Sequence, residues 1–172
     1  IKFLLPEVLE QPDVVERFRR EAQAAVKLKS EHVCRVIDVS TLESGAPYMV
    51  MEFLAGQDLE ALLREHGRLS PGFATDLMLQ ACEALAEAHA LGIVHRDIKP
   101  ANFFLTEGSD GAPLLKVLDF GISKSLAIDH DMTHSKAIMG TPSYMSPEQM
   151  ESSKHVDART DIWALGAVLY QL

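Results

Sequence analysis

Asp97, Lys99, Asn102 and Asp119 are polar side chains set among apolar ones, in the runs Ile-Val-His-Arg-Asp-Ile-Lys-Pro-Ala-Asn-Phe-Phe-Leu (93–105) and Lys-Val-Leu-Asp-Phe-Gly (116–121). Asp97 could take a proton from a hydroxyl, and Lys99 adds a cation two residues on. Asn102 and Asp119 offer an amide and a carboxylate oxygen, hard ligands that suit Mg²⁺. A cation beside a base also balances charge that develops on a transferred phosphate. The chemistry these types and spacings could support is phosphoryl transfer.

Several elements must position them. The apolar positions Phe73, Leu77, Leu79, Ala81, Leu85, Ala86 and Ala90 predict a long helix over Pro71 to Leu91 that is apolar around much of its surface, and Gly92 stops it just before the first run. A shorter amphipathic helix begins at Asp58, a plausible cap, and ends at Gly67. Upstream, Pro12, Asp13 and Glu16 start a helix over 12–29 whose stripe is Val15, Phe18, Ala22, Ala25 and Val26, with Glu21 on or near that stripe. Two strands, Val33–Val39 and Tyr48–Phe53, flank the turn-rich stretch 43–47 and read as a hairpin. A further apolar stretch from Asp157 to Leu172 carries Asp161.

Composition narrows the alternatives. The chain has 172 residues, 47% of them hydrophobic and 24% charged, which suits one soluble domain with a real core. A net charge of −9 excludes a general binder of nucleic acid or anionic membrane, because those need clustered Lys and Arg. Cys34 and Cys82 both fall in apolar-periodic segments and read as two reduced core thiols in a reducing, cytoplasmic compartment. No metal-type Cys/His spacing occurs. Apolar runs fall well short of the roughly 20 residues of a membrane helix.

The wording and order of the two central runs resemble the catalytic loop and metal-binding motif of the eukaryotic-type serine/threonine protein kinases, with an impression of their bacterial members. That resemblance covers essentially the whole chain. It implies a two-lobed α+β fold truncated at both ends, with residues 1–53 the remnant of a strand-rich lobe and 54–172 a mainly helical lobe up to a buried anchoring helix. It implies the cofactors ATP and Mg²⁺, protein substrates bearing Ser or Thr, and self-association for autophosphorylation, with no nucleic acid and no membrane segment.

Roles follow residue by residue from the same resemblance. Lys2 aligns with the strand lysine that grips the α- and β-phosphates, and Glu21 with its ion-pair partner. The run Met51-Glu52-Phe53-Leu54 resembles the hinge, where backbone groups of Glu52 and Leu54 meet adenine and Met51 limits the depth of the pocket. Phe104 forms the floor under adenine, a departure from the family's aliphatic pair. Asp97 is the base, Lys99 steadies the γ-phosphate, Asn102 holds a second metal ion, and Asp119 bridges metal and phosphates. Lys99 at that spacing is the Ser/Thr-type pattern. His95, Phe120 and Gly121 are structural. Arg96 marks enzymes switched on by phosphate in the activation segment, with Thr133 and Ser135 as autophosphorylation sites. Thr141 ties to Asp97 and Lys99, Glu148 anchors the docking loop through an arginine beyond residue 172, and Asp161 holds the backbone near His95 and Arg96.

The glycine-rich loop and the later helices have no counterpart within residues 1–172, so the resemblance implies a chain that is weakly active or inactive alone and exposes apolar faces. Two alternatives of a different class accompany the kinase reading. A pseudokinase or scaffold would bind partners or nucleotide without catalysis, yet no catalytic residue is lost in the sequence. A small-molecule kinase is disfavoured by Gly140-Thr141-Pro142 and Ser146-Pro147-Glu148, which resemble protein-docking motifs.

Overall fold

A computed structural model of the chain describes residues 1–4, 9, 11–120, 142–151 and 156–172. In chain order the elements are β1 (Lys2–Phe3), α1 (Pro12–Ala25), β2 (Val36–Thr41), β3 (Pro47–Met51), β4 (Gln57–Asp58), α2 (Leu59–His66), α3 (Pro71–Ala90), a 3-10 turn (Pro100–Asn102), β5 (Phe103–Glu107), β6 (Pro113–Val117), a second 3-10 turn (Pro142–Tyr144), α4 (Pro147–Glu151) and α5 (Arg159–Gln171).

Two cores form, each from one sheet and its helices. The antiparallel sheet β1-β3-β2 packs on α1, where Phe18, Ala22 and Ala25 meet Leu4, Val36 and Met49. The antiparallel sheet β4-β5-β6 packs on α3, with Phe103, Leu115 and Val117 buried against Leu77, Ala81 and Leu85, and α5 contributes Ala164, Leu165 and Val168. This is a two-lobed α+β arrangement. Two helix signals act as the sequence suggests, with Asp58 accepting the Ala61 N–H at 2.7 Å and Gly67 following α2, while Ser70 adds a cap to α3 ahead of Pro71 in its first turn.

Five expectations are corrected. Helix α3 is not apolar all round. Its buried face is Ala74, Leu77, Met78, Ala81, Ala84, Leu85 and Ala88, while Leu79, Ala86 and Ala90 face outward. Cys34 is buried but Cys82 is exposed, because Cys82 lies on that outward face beside Glu83. Helix α1 ends at Ala25 and Val26 is exposed.

The first strand of the hairpin begins at Val36 rather than Val33, for a physical reason. Residues 32–34 already bond to the other sheet: Cys34 N–H donates to the Val117 carbonyl at 2.9 Å and Val117 N–H to the His32 carbonyl at 2.8 Å, with Val33 pairing in parallel to Val117. Val33 and Leu28 therefore join the larger core. The second strand ends at Met51, leaving Phe53 93% exposed.

Candidate active site

The hairpin β5–β6 brings the two runs together. Phe103 pairs with Val117, so one step beyond the ladder Leu118 N–H donates to the Asn102 carbonyl at 2.9 Å, which brings Asp119 toward the end of the first run. Pro100 opens the tight 3-10 turn that presents Asn102, whose backbone N–H donates to the Lys99 carbonyl at 2.9 Å. The Asn102 side chain turns back on Asp97: its Nδ2 donates to the Asp97 carbonyl at 2.7 Å and to Asp97 Oδ2 at 3.1 Å. Lys99 Nζ lies 3.0 Å from the same Oδ2. Asp97, Lys99 and Asn102 thus form one cluster, with Asp97 buried and Lys99 half-buried.

Below this cluster the backbone is fixed by buried polar groups. Asp161, on the first turn of α5, accepts the N–H of His95 through Oδ2 and that of Arg96 through Oδ1, both at 2.8 Å. His89 Nε2, from α3, lies 2.8 Å from Asp161 Oδ2. His95 is fully buried, and burial outweighs the pull of Asp161 to hold its pKa below the ordinary histidine value. The ring is therefore neutral near pH 7. Its Nδ1 accepts the Asp97 N–H at 3.2 Å, so its Nε2–H donates to the Leu118 carbonyl at 2.7 Å. Phe120 stacks obliquely on the imidazole with centroids 4.8 Å apart. One histidine thus ties the backbone of Asp97 to that of the residue before Asp119.

Two non-glycine residues here take left-handed backbone angles, Arg96 at φ 65° and Asp119 at φ 57°. Such positions cost about 1–3 kcal/mol each and persist only where surrounding bonds impose them. At Arg96 the N–H goes to Asp161, while the carbonyl accepts from Gln149 Nε2 at 2.7 Å. The Arg96 side chain is exposed.

Asp119 Oδ1 lies 2.8 Å from Lys2 Nζ, so the β1 lysine reaches across from the smaller lobe. Glu21 sits half-buried on α1, next to Ala22 in the smaller core. Glu52 is held by Arg35 and Lys116. Its Oε1 accepts the Arg35 N–H at 2.7 Å and Lys116 Nζ at 2.8 Å, and although burial raises its pKa, these bonds hold it below the usual carboxylate value. Among the described residues, the Glu52 carbonyl and the N–H and carbonyl of Leu54 bond to nothing. Met51 and Phe104 are half-buried. Gly56 is obligatory, since a Cβ there would come within 2.0 Å of the Leu105 carbonyl oxygen. Glu148 is exposed on α4. Gly121, Thr133, Ser135 and Thr141 lie outside the described residues.

Gln149, Thr160, Glu87 and Lys116 make bonds that side-chain types alone do not reveal. Ser146 and Gln149 do carry a signal, the spacing of a helix capping box around Pro147. Nothing in the sequence says that the Gln149 amide spans to a carbonyl in another segment.

A family model described as "Protein kinase domain" matches residues 1–172. The chain belongs to the protein kinase family. Among relatives of this kinase chain, serine/threonine-protein kinase Pkn1 of Myxococcus xanthus is 41% identical over 172 residues, which is all of this chain and 24% of the relative. Serine/threonine-protein kinase PknB of Mycobacterium leprae is 38% identical over 175 residues, covering 27% of its length. The kinase chain thus spans about a quarter of these curated relatives. Of solved structures, the PknI kinase domain of Mycobacterium tuberculosis superposes with a TM-score of 0.76 at 26% identity, over 99% of this chain and 60% of that one. Rad53 residues 1–466 in complex with AMP-PNP gives 0.71 at 27% identity, over 94% and 38%. The two relatives by sequence are bacterial proteins named as serine/threonine-protein kinases, and the structural likeness to PknI is to a kinase domain. Among the described residues no helix is long and apolar enough to cross a membrane.

Proposed function

We propose that this chain provides the phosphoryl-transfer centre of an ATP-dependent kinase acting on Ser and Thr hydroxyls of proteins. The observation that carries the reading is the cluster in which Asp97 Oδ2 stands 3.0 Å from Lys99 Nζ and 3.1 Å from Asn102 Nδ2, beside the hairpin end that bears Asp119. Asp97 accepts the proton of the attacking hydroxyl and aims its oxygen. Lys99 stands where negative charge on the transferred phosphoryl group needs a cation. Lys2 reads the ATP phosphates from the opposite lobe, and the unengaged backbone groups of Glu52 and Leu54 suit the adenine edge.

The donor set also fits a divalent cation. Both hydrogen bonds of the Asn102 amide nitrogen go to Asp97, which leaves the amide oxygen as its acceptor, and the Asp119 carboxylate supplies a second hard donor. Asn102 and Asp119 would hold Mg²⁺, which when bound neutralises charge on the β- and γ-phosphates. Both cysteines are free thiols, which supports a reducing, cytoplasmic setting that cell fractionation would check.

The test uses the complete protein carrying this domain, with Mg-ATP, a Ser/Thr peptide panel and an inactive second copy of the protein as substrates. Asp97→Asn should lower kcat by about 10²–10⁴-fold, the usual worth of a positioned general base, while ATP still binds. Nucleotide binding without transfer by the wild type would instead favour a scaffold.

A further inference from the structure

We infer that Gln149 is a positioning residue for Asp97, acting through the peptide bond that joins Arg96 to Asp97. The inference rests on the kinase reading of the site. The polar ends of that one peptide unit are both held. Its N–H, belonging to Asp97, donates to His95 Nδ1 at 3.2 Å, and its carbonyl, belonging to Arg96, accepts from Gln149 Nε2 at 2.7 Å. Rotation of this plane changes ψ of Arg96 and φ of Asp97, and would swing the Asp97 carboxylate away from Lys99 and Asn102. Arg96 also sits at a left-handed φ of 65°, an angle that persists only where surrounding bonds impose it, so the groups that hold the peptide units on either side of its Cα decide the pose.

Gln149 is itself held by a directional chain of hydrogen bonds. Its Oε1 can only accept, and it accepts from Thr160 Oγ1 at 3.0 Å. Thr160 has a single hydroxyl proton, so the buried 2.6 Å contact between Ser146 Oγ and Thr160 Oγ1 must have Ser146 as donor. The amide nitrogen of Gln149 is thereby turned to Arg96. This arrangement forgoes a local alternative. Ser146 precedes α4 as its cap, three residues before Gln149, and the Gln149 N–H lies 3.4 Å from Ser146 Oγ. In a capping box the Gln149 side chain would reach back to the Ser146 N–H. Here it crosses 53 positions of sequence to the catalytic loop instead. Thr160 adjoins Asp161, so neighbouring residues on α5 hold both sides of Arg96: Asp161 takes its N–H directly and Thr160 steers the amide that takes its carbonyl.

The complete protein, as wild type, Gln149→Ala and Gln149→Glu, with Asp97→Asn as the blank, tests this. Gln149→Ala should lose about tenfold in kcat, within the range expected for a small misplacement of a reacting group, with the KM for ATP and the thermal midpoint little changed. Gln149→Glu gives the readout a merely structural role would not move. As a carboxylate it cannot donate to the Arg96 carbonyl, but as a carboxylic acid it can, so its kcat relative to wild type should rise as pH falls from about 7.5 to about 5.5. Variants with wild-type kcat would overturn the inference. So would a loss in Gln149→Ala that follows falling thermal stability and rising KM, with a flat pH ratio for Gln149→Glu. A wild type that transfers no phosphate would sink the kinase reading as well, whereas an active wild type with unaffected variants sinks this inference alone.

Discussion

His95 illustrates how a site can depend on a residue buried beneath it. It is buried without exposure, it is neutral, and its two nitrogens bond to the backbone on both sides of the cluster. Burial lowers its folded pKa, while in the unfolded chain it titrates near about 6.5. Between those two values the unfolded chain binds the extra proton. His95 therefore contributes stability that is fully present above about pH 6.5 and is lost as pH falls below it, by at most about 1.4 kcal/mol per pH unit for one proton. The expected result is a denaturation midpoint that drops between pH 7 and pH 5.5. His95→Phe should be less stable at pH 7 but lack that share of the slope, and identical slopes in the two proteins would refute the assignment. Asp97, Asn102 and Asp119 were legible in the sequence because their relation is local, within one loop and one hairpin. The bond from Gln149 to Arg96 was not, because its acceptor is a backbone carbonyl and side-chain types do not mark which carbonyl is taken.

Between elements, the stretch after α1 works as a latch on the larger lobe. The Glu87 carboxylate, from α3, accepts the Lys29 N–H at 2.9 and 3.1 Å through its two oxygens and the Ser30 N–H at 2.7 Å. His32 adds a contact from Nδ1 to the Leu115 carbonyl at 3.1 Å, and Val33 pairs to β6. The C-terminal end of α1, which also bears Glu21, is thus anchored to α3 and β6. Glu87→Ala leaves two backbone donors without these partners and should cost about 1–3 kcal/mol. Faster amide exchange confined to Lys29, Ser30 and their neighbours would locate the loss, and unchanged exchange there would exclude a latch. Helix existence and ends were readable from Pro12, Asp58 and Gly67, since each acts on its own helix end. The face of α3 was not. Close packing favours the small side chains Ala74, Ala81, Ala84 and Ala88 inside and leaves the larger Leu79 58% exposed, the reverse of what hydrophobicity alone suggests. Likewise the pairing of Val33 with β6 is hidden from local pattern, because its partner Val117 lies 84 positions away.

Over the whole molecule, α5 is the element with two apolar sides. One side, Thr160, Asp161, Ala164, Leu165 and Val168, is buried, and its Asp161 holds the backbone of His95 and Arg96. The other carries Ile162, Trp163, Leu169 and Tyr170, exposed by 56, 53, 45 and 85%, and their helical spacing with Gly166 between them makes one stripe. Grouped apolar side chains of this size drive association when nothing covers them, unlike scattered ones. Net charge opposes it: at −9 copies repel one another at long range, but repulsion is screened beyond about 8 Å at physiological salt while the contact gain of an apolar stripe is not. The 172-residue chain in isolation is therefore expected to associate, and to do so more as salt rises. Light scattering after size exclusion should show mass above the 19.0 kDa of one copy. Trp163→Glu with Tyr170→Lys should return the monomer, without disturbing the buried side of α5, as judged by an unchanged helical signal. A wild-type chain that remained monomeric through about 0.5 M salt would show that the stripe is too small or too dispersed to drive contact, and that the exposed side of α5 tolerates water on its own.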